Sequence, residues 1–217
     1  NAMFSILKQA KIKCNVYTSP HLQRINERFI FNNKVLGDDE LSDLFEKIDQ
    51  VNGNNPLTFF EALTAVFFYK AAQYPENINL IESGLFFRFD ATNILKKNLA
   101  SIVTPISEDH LDWLPKNEKT IKRIVFEKTS SLLESNIVVS KQNSKDTLNY
   151  IKETISENSS KKFFFNEDFS FLTKEDSFFY YKDKFGNLKL PLPNILGNFQ
   201  LENISTAIAT LRLLDLN

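Results

Sequence analysis

The chain of 217 residues carries a single cysteine, Cys14, which excludes an internal disulfide and any metal cluster built from several thiolates. Glycine is scarce, at five residues, and no glycine-rich phosphate loop precedes the first apolar run. One common means of cradling a nucleotide's phosphates is therefore missing from this sequence. An excess of charge of one sign is missing too. Lys and Arg number 26 against 27 Asp and Glu, for a net charge of −1, which leaves no electrostatic footprint for nucleic acid or an anionic membrane surface. No apolar stretch approaches the ~20 residues a membrane helix needs, and no signal peptide is visible. A cytoplasmic protein is expected, with Cys14 as a small core residue.

What is present is a good supply of apolar side chains. With 42% hydrophobic residues, the chain can bury one sizeable core and reads as a single domain over 1–217. Asn1-Ala2 ahead of Met3 reads as the remnant of a cleaved tag. Phe clusters, as in Lys161-Lys162-Phe163-Phe164-Phe165-Asn166, are expected in strands and core rather than on a binding surface.

Helical and strand signals alternate. Phe4, Ile6, Leu7 and Ala10 share a helical face, and the strand at Cys14 follows. Phe29 to Leu36 reads as a hairpin turning at Asn32-Asn33. Asp38 or Asp39 is expected to cap a helix carrying Leu41, Leu44, Phe45 and Ile48, broken at residues 53–56. Thr58 with Glu61 three residues on predicts a capping box. Further helices are predicted over about 118–132, from Ser144 to Ile155 and over about 200–214. A strand is expected at 137–139 and a hairpin over 178–192. This alternation predicts an α/β fold, a mainly parallel sheet with helices on both faces.

Three apolar runs end in residues that could bind a cation: Cys14–Tyr17 leads to Ser19, Ile78–Ile81 to Glu82, and Ser101–Ile106 to His110. In open α/β sheets ligands bind beyond the carboxyl ends of the strands. Each residue has a plainer reading. Ser19 could be a turn hydroxyl before Pro20, His110 a loop partner of Asp109, His21 a structural loop residue, and Glu127-Lys128 a solvated helix pair. Glu82 resists that treatment, since a carboxylate buried at a strand end needs a cation or donors.

Tyr17-Thr18-Ser19-Pro20-His21-Leu22, followed by Ile25-Asn26-Glu27-Arg28, resembles the segment after the phosphate loop in folylpolyglutamate synthases and bifunctional dihydrofolate synthases. A second signature stands as Leu80-Ile81-Glu82-Ser83-Gly84 through Asp90-Ala91-Thr92-Asn93-Ile94-Leu95. Asp109-His110, Phe126-Glu127-Lys128 and Gly197-Asn198-Phe199-Gln200-Leu201-Glu202-Asn203 resemble later family elements. The resemblance implies a Mur-ligase-like central ATPase domain. It implies ATP and Mg2+ as cofactors, a folate or dihydropteroate and L-glutamate as substrates, and a monomer. Ser19, Glu82 and His110 are similar to the family's magnesium ligands, and Lys128, the second catalytic candidate beside His110, to a lysine that becomes a carbamate. Gln200 and Asn203 resemble nucleotide contacts, and Arg88, Asp90, Thr92 and Asn93 residues of the substrate loop.

Against the family pattern, the Gly-x-x-Gly-Lys-Ser type loop is absent, since the chain begins inside the helix that follows it in relatives, and the smaller C-terminal domain is missing. Phe86 and Phe87 stand at small positions, and Phe199 stands where relatives have His. The chain is thus expected to fold but not to catalyse alone. Two alternatives stay open: a non-catalytic remnant or binding module of the same fold, and another Mur-type amide ligase. Dihydropteroate and tetrahydrofolate both remain open as acceptors.

Overall fold

The computed structural model describes residues 1–53, 55–175, 177–195, 197 and 199–216. In chain order its elements are α1 (Ala2–Gln9), β1 (Cys14–Tyr17), β2 (Phe29–Phe31), β3 (Lys34–Val35), α2 (Asp38–Asn52), α3 (Phe59–Ala71), β4 (Ile78–Ile81), β5 (Ala100–Val103), α4 (Ile121–Thr129), β6 (Asn136–Val139), α5 (Lys145–Thr154), β7 (Lys161–Phe164), β8 (Phe169–Glu175), β9 (Phe178–Asp183), β10 (Gly186–Pro191) and α6 (Phe199–Leu214). Short 3-10 turns lie at Ile25–Arg28, Leu111–Trp113 and Lys116–Glu118. Internal contacts gather into two units, Met3–Ile94 and the chain from Leu95 onward. Each has its own sheet and core.

The first unit holds a sheet in the order β3-β2-β1-β4. β1 and β4 run parallel, with Cys14 opposite Ile78 and Tyr17 opposite Ile81, while β2 and β3 are antiparallel additions. Asn32 and Asn33 both adopt left-handed φ, 51° and 67°, as a two-residue hairpin turn of the right twist demands. The Asn33 side chain then ties the turn to β1, accepting from the Cys14 amide at 2.9 Å and donating to the Ile12 carbonyl at 3.1 Å. Asn15 is fully buried in β1, yet its amide is satisfied: it donates to Asn79 and accepts from Asn77 and the Asn32 backbone. A buried polar group is tolerable only on those terms.

α3 starts as its sequence predicts. Thr58 accepts from the Glu61 amide while the Glu61 carboxylate accepts from the Thr58 amide. α2 differs from expectation, because Gly37 rather than an aspartate takes the cap position. Asp38, Asp39 and Glu40 fill the first turn, where the helix dipole favours anions. The core of this unit is aromatic. Tyr17 stacks on Phe67 at 5.2 Å and on Phe29 at 5.6 Å, with Leu63 and Val66 beneath, all of them without solvent exposure.

The second unit contains a parallel sheet, β5-β6-β7. Ile137, Val138 and Val139 of the central β6 are all fully buried, as a parallel strand covered on both faces requires. Val138 joins the cluster under α6, and its neighbours point the opposite way by strand alternation. α4 and α5 are the crossovers β5→β6 and β6→β7, pack on each other, and by the right-handed rule share one face. α4 is shorter than the helix predicted over 118–132, because Thr120 caps it by accepting from the Arg123 amide and it ends at Thr129. Ser144 caps α5 as expected.

The α/β architecture with a parallel sheet and helices is therefore present, and to it is added an antiparallel sheet, β10-β9-β8. The sequence anticipates the β9–β10 hairpin but not β8. Phe169, Phe179 and Tyr181 pack inward from this sheet on Leu201 and Ala209 of α6. Phe163 of β7 and Phe165 just beyond it lie in the same core, while Phe164, also buried, points to the opposite face of the strand. Asp183 is buried at the end of β9. It accepts from the Tyr181 hydroxyl at 2.9 Å, the Phe185 amide at 2.8 Å and the Arg212 guanidinium at 2.8 Å, which locks the sheet to α6.

Candidate active site

In the first unit the parallel pairing of β1 and β4 sets the geometry. Tyr17 and Ile81 are register partners, so the next residues of both strands emerge side by side at their carboxyl ends. The Ser19 amide donates to Glu82 Oε2 at 3.1 Å, and the Glu82 amide donates to the Tyr17 carbonyl at 2.9 Å. Ser19 and Glu82 thus meet where open α/β sheets place ligands. Glu82 is exposed, which corrects the argument that burial made its charge costly. One of its oxygens engages an amide, and the carboxylate as a whole stays open to water and to a cation.

The loop that presents Ser19 is wired by its own motif residues. Glu27 accepts from the amides of Leu22 at 2.8 Å, Arg24 at 2.9 Å and Gln23 at 3.1 Å. Those bonds, Leu22's foremost, hold its carboxyl below the ordinary carboxylate range. Asn26 donates to the Leu36 carbonyl at 3.0 Å. The buried Arg28 donates through Nε to His21 Nδ1 at 2.9 Å, and its carbonyl accepts the Thr18 amide. His21 therefore has a structural partner.

A second loop follows Glu82. The Gly84 amide donates to Asp90 Oδ2 at 3.0 Å, and the Thr92 amide donates to Asp90 Oδ1 at 3.0 Å. A Cβ on Gly84 would lie 2.6 Å from Asp90 Oδ2 and 2.9 Å from the Phe60 ring, so the approach needs glycine. Asn93 donates to the Arg88 carbonyl at 3.3 Å, and the Arg88 guanidinium sits 4.3 Å from the centre of the exposed Phe89 ring. Thr92 is buried, while Arg88, Asp90 and Asn93 are half-buried. Asp90 acts here on the loop itself.

The second unit carries the remaining candidates. His110 takes a left-handed φ of 60°, its amide bonded to Asp109 Oδ1 at 2.8 Å and its Nε2 3.3 Å from Asp109 Oδ2. Lys128 is half-buried in the last turn of α4. Its neighbour Glu127 is not a solvated charge, being buried and paired with Arg123 at 2.6 Å. At the start of α6, Gln200 is half-buried, Asn203 is exposed, and Asn203 Nδ2 lies 3.5 Å from Gln200 Oε1. Gly197 has φ 115°, and a Cβ there would come within 2.5 Å of the Phe199 ring. Asn198 lies outside the described residues.

Among the described residues no group of three or more His, Cys, Asp or Glu gathers as a metal site. The expected set of Ser19, Glu82 and His110 comprises one hydroxyl, one carboxylate and one imidazole; Ser19 and Glu82 belong to the first unit and His110 to the second. The Ser19 hydroxyl and the open Glu82 carboxylate are hard oxygen donors, which suit Mg2+, and the imidazole is a nitrogen donor. The sequence motifs contain Glu27 and Asp90, while the backbone bonds by which these two carboxylates hold their loops are seen only in the structure. Sequence reasoning missed Gln142.

No family model matches the chain. Over 210 residues, 95% of the chain and 47% of the relative, it is 31% identical to the dihydrofolate synthase/folylpolyglutamate synthase of Buchnera aphidicola subsp. Schizaphis graminum. Over 121 residues, 55% of the chain and 28% of the relative, it is 39% identical to the Escherichia coli protein of that name. A solved structure of Escherichia coli FolC in complex with DHPP and ADP matches 100% of the chain and 50% of its own, at 30% identity and a TM-score of 0.84. Over the stretch it spans, the chain is similar to dihydrofolate synthase/folylpolyglutamate synthases. It spans about half the length of these relatives, or less. The synthase signatures thus acquire physical meaning: in the first the Asn-Glu-Arg residues fasten the loop that carries Ser19, and in the second Asp90 fastens the loop behind Glu82.

Proposed function

We propose that the protein containing this chain is an ATP-dependent ligase that joins L-glutamate to a folate or dihydropteroate carboxylate. The observation that carries this reading is the Ser19–Glu82 contact at the carboxyl ends of adjacent parallel strands, each held by a synthase signature loop. In the reaction an acceptor carboxylate oxygen attacks the γ-phosphorus of ATP and ADP leaves. The glutamate amine then attacks the acyl carbon, orthophosphate leaves, and the amine gives up a proton. Mg2+ supplies charge neutralisation for the phosphate oxygens when bound.

The chain's own residues have distinct tasks in this reading. Ser19, Glu82 and His110 would hold the cation. Gln200 and Asn203, at the start of α6, would meet the nucleotide. Arg88, Asp90, Thr92 and Asn93 shape the acceptor side, Asp90 by fixing Gly84. Lys128, half-buried in the last turn of α4, would add CO2 through its neutral amine with loss of a proton and act as a carbamate, an anion in place of a cation. Because the sequence contains no Gly-x-x-Gly-Lys-Ser loop, the 217 residues alone would fold without turning over. The protein would act as a cytoplasmic monomer. No helix among the described residues is long and apolar enough to cross a membrane.

The test is ATP- and glutamate-dependent conversion of dihydropteroate or tetrahydrofolate by the full gene product, with ADP release and the glutamylated product both measured. Glu82→Gln should lower kcat by about 10²-fold or more. Full activity in that variant would place the cation elsewhere. Phe86, Phe87 and Phe199 favour a second reading, a binding module without chemistry. Tight folate binding by the full product with no ADP release would decide for it.

A further inference from the structure

Gln142, just beyond β6, stands outside every motif discussed so far. Its half-buried amide makes three bonds to the main chain. Oε1 accepts from the Ile106 amide at 3.0 Å, and Nε2 donates to the carbonyls of Thr104 at 3.3 Å and Ser140 at 3.1 Å. One side chain therefore binds the segment leaving β5 to the end of β6, extending a pairing in which the Ser140 amide still donates to the Val103 carbonyl at 2.9 Å. The segment so held leads within four residues to His110. Its geometry is otherwise unsupported by sheet, since β5 ends at Val103. The preceding residue, Lys141, pairs with Glu202 in the first turn of α6 at 2.6 Å.

We infer that Gln142 is a positioning residue, which fixes the path of residues 104–106 so that His110 is delivered to the cation. The inference rests on the metal role given to His110 above. A primary amide suits the task because it offers an acceptor to one amide and two donors to two carbonyls, a pattern that neither glutamate nor lysine reproduces. Loop residues carrying ligands need such support, since partners of metal ligands typically contribute about 10–100-fold in metal affinity.

The experiment uses the full gene product with ADP, with Mn2+ as the probe cation read by electron paramagnetic resonance, and hydrogen exchange at the Ile106 amide. Gln142→Ala and the space-filling Gln142→Met should both speed Ile106 exchange and weaken Mn2+ binding about tenfold or more, at temperatures well below either variant's Tm. Faster exchange with unchanged Mn2+ affinity would make the amide a purely structural clasp and overturn the inference. Unchanged exchange would overturn it as well, by removing the clasp. His110→Ala serves as the reference. If that variant binds Mn2+ as the parent does, the metal role of His110 fails and the positioning role falls with it, an outcome distinct from the other two.

Discussion

Three backbone N–H groups converge on the Glu27 carboxylate, and all three bonds are strongest when it is ionised. Its folded pKa lies below the ordinary 4.5, so its contribution to stability is complete above that value and is lost as pH falls through the folded pKa. The Tm advantage of the parent over Glu27→Gln should therefore be largest at neutral pH and shrink as pH falls below 4.5 and through the folded pKa. A constant difference across that range would mean the bonds do not depend on charge. Asp183 has a different fate, being buried against Arg212 and Tyr181. Desolvation and the adjacent carboxylate push the Tyr181 phenol far above its usual range, so it stays a donor at any working pH. Asp183→Ala leaves the half-buried Arg212 guanidinium and the buried Tyr181 hydroxyl without their acceptor and should cost about 2–3 kcal/mol in a denaturant melt. Tyr181→Phe should cost only about 1 kcal/mol. Ser205, fully buried in α6 without a hydrogen-bond partner among the described residues, should lose nothing or gain slightly on Ser205→Ala.

Among elements, the helix starts show what local sequence can and cannot reveal. Thr58 with Glu61 was legible because a capping box is a purely local exchange of two bonds, and Thr58→Ala should destabilise by about 1 kcal/mol in the same melt. Capping of α2 was not legible as it stands. Gly37 and Asp38 both satisfy the local rule, and the chain chose glycine with the acids one residue inside. The Asn32-Asn33 turn could be read from residue type alone, although its ties to Ile12 and Cys14 could not, since they join residues far apart in sequence. β8 escaped because its alternation is broken by Leu172, an apolar residue on the outward face that is mostly exposed. Its partner β9 supplies the pairing that makes it a strand. Glu82 is legible from its place after β4, while its exposure is not, because β4 itself is only half-buried. The Glu27 bonds are local to one loop, whereas the Ile106–Gln142 bond joins residues 36 apart, which no spacing rule encodes.

At the scale of the molecule, the candidate residues are shared between two units with separate cores, and both must contribute if the ligase reading holds. Glu82→Gln in the first and Lys128→Met in the second should each lower kcat of the full gene product by about 10²-fold or more while leaving its Tm within a few degrees. Loss from only one of the two would confine the chemistry to one unit. The motifs supply the residues and not this division, since the sequence reads as a single domain over 1–217, and the contacts of each unit show which residues carry the loops. Cys14 offers a way to follow the first unit alone. Its thiol is without solvent exposure in β1, burial pushes its pKa up, and the chain has no other sulfhydryl. Alkylation by a small maleimide can then proceed only when the sheet around β1 parts. The labelling rate becomes a clock for local opening of the unit that holds Ser19 and Glu82, one that a bound nucleotide or cation should slow if it is gripped there.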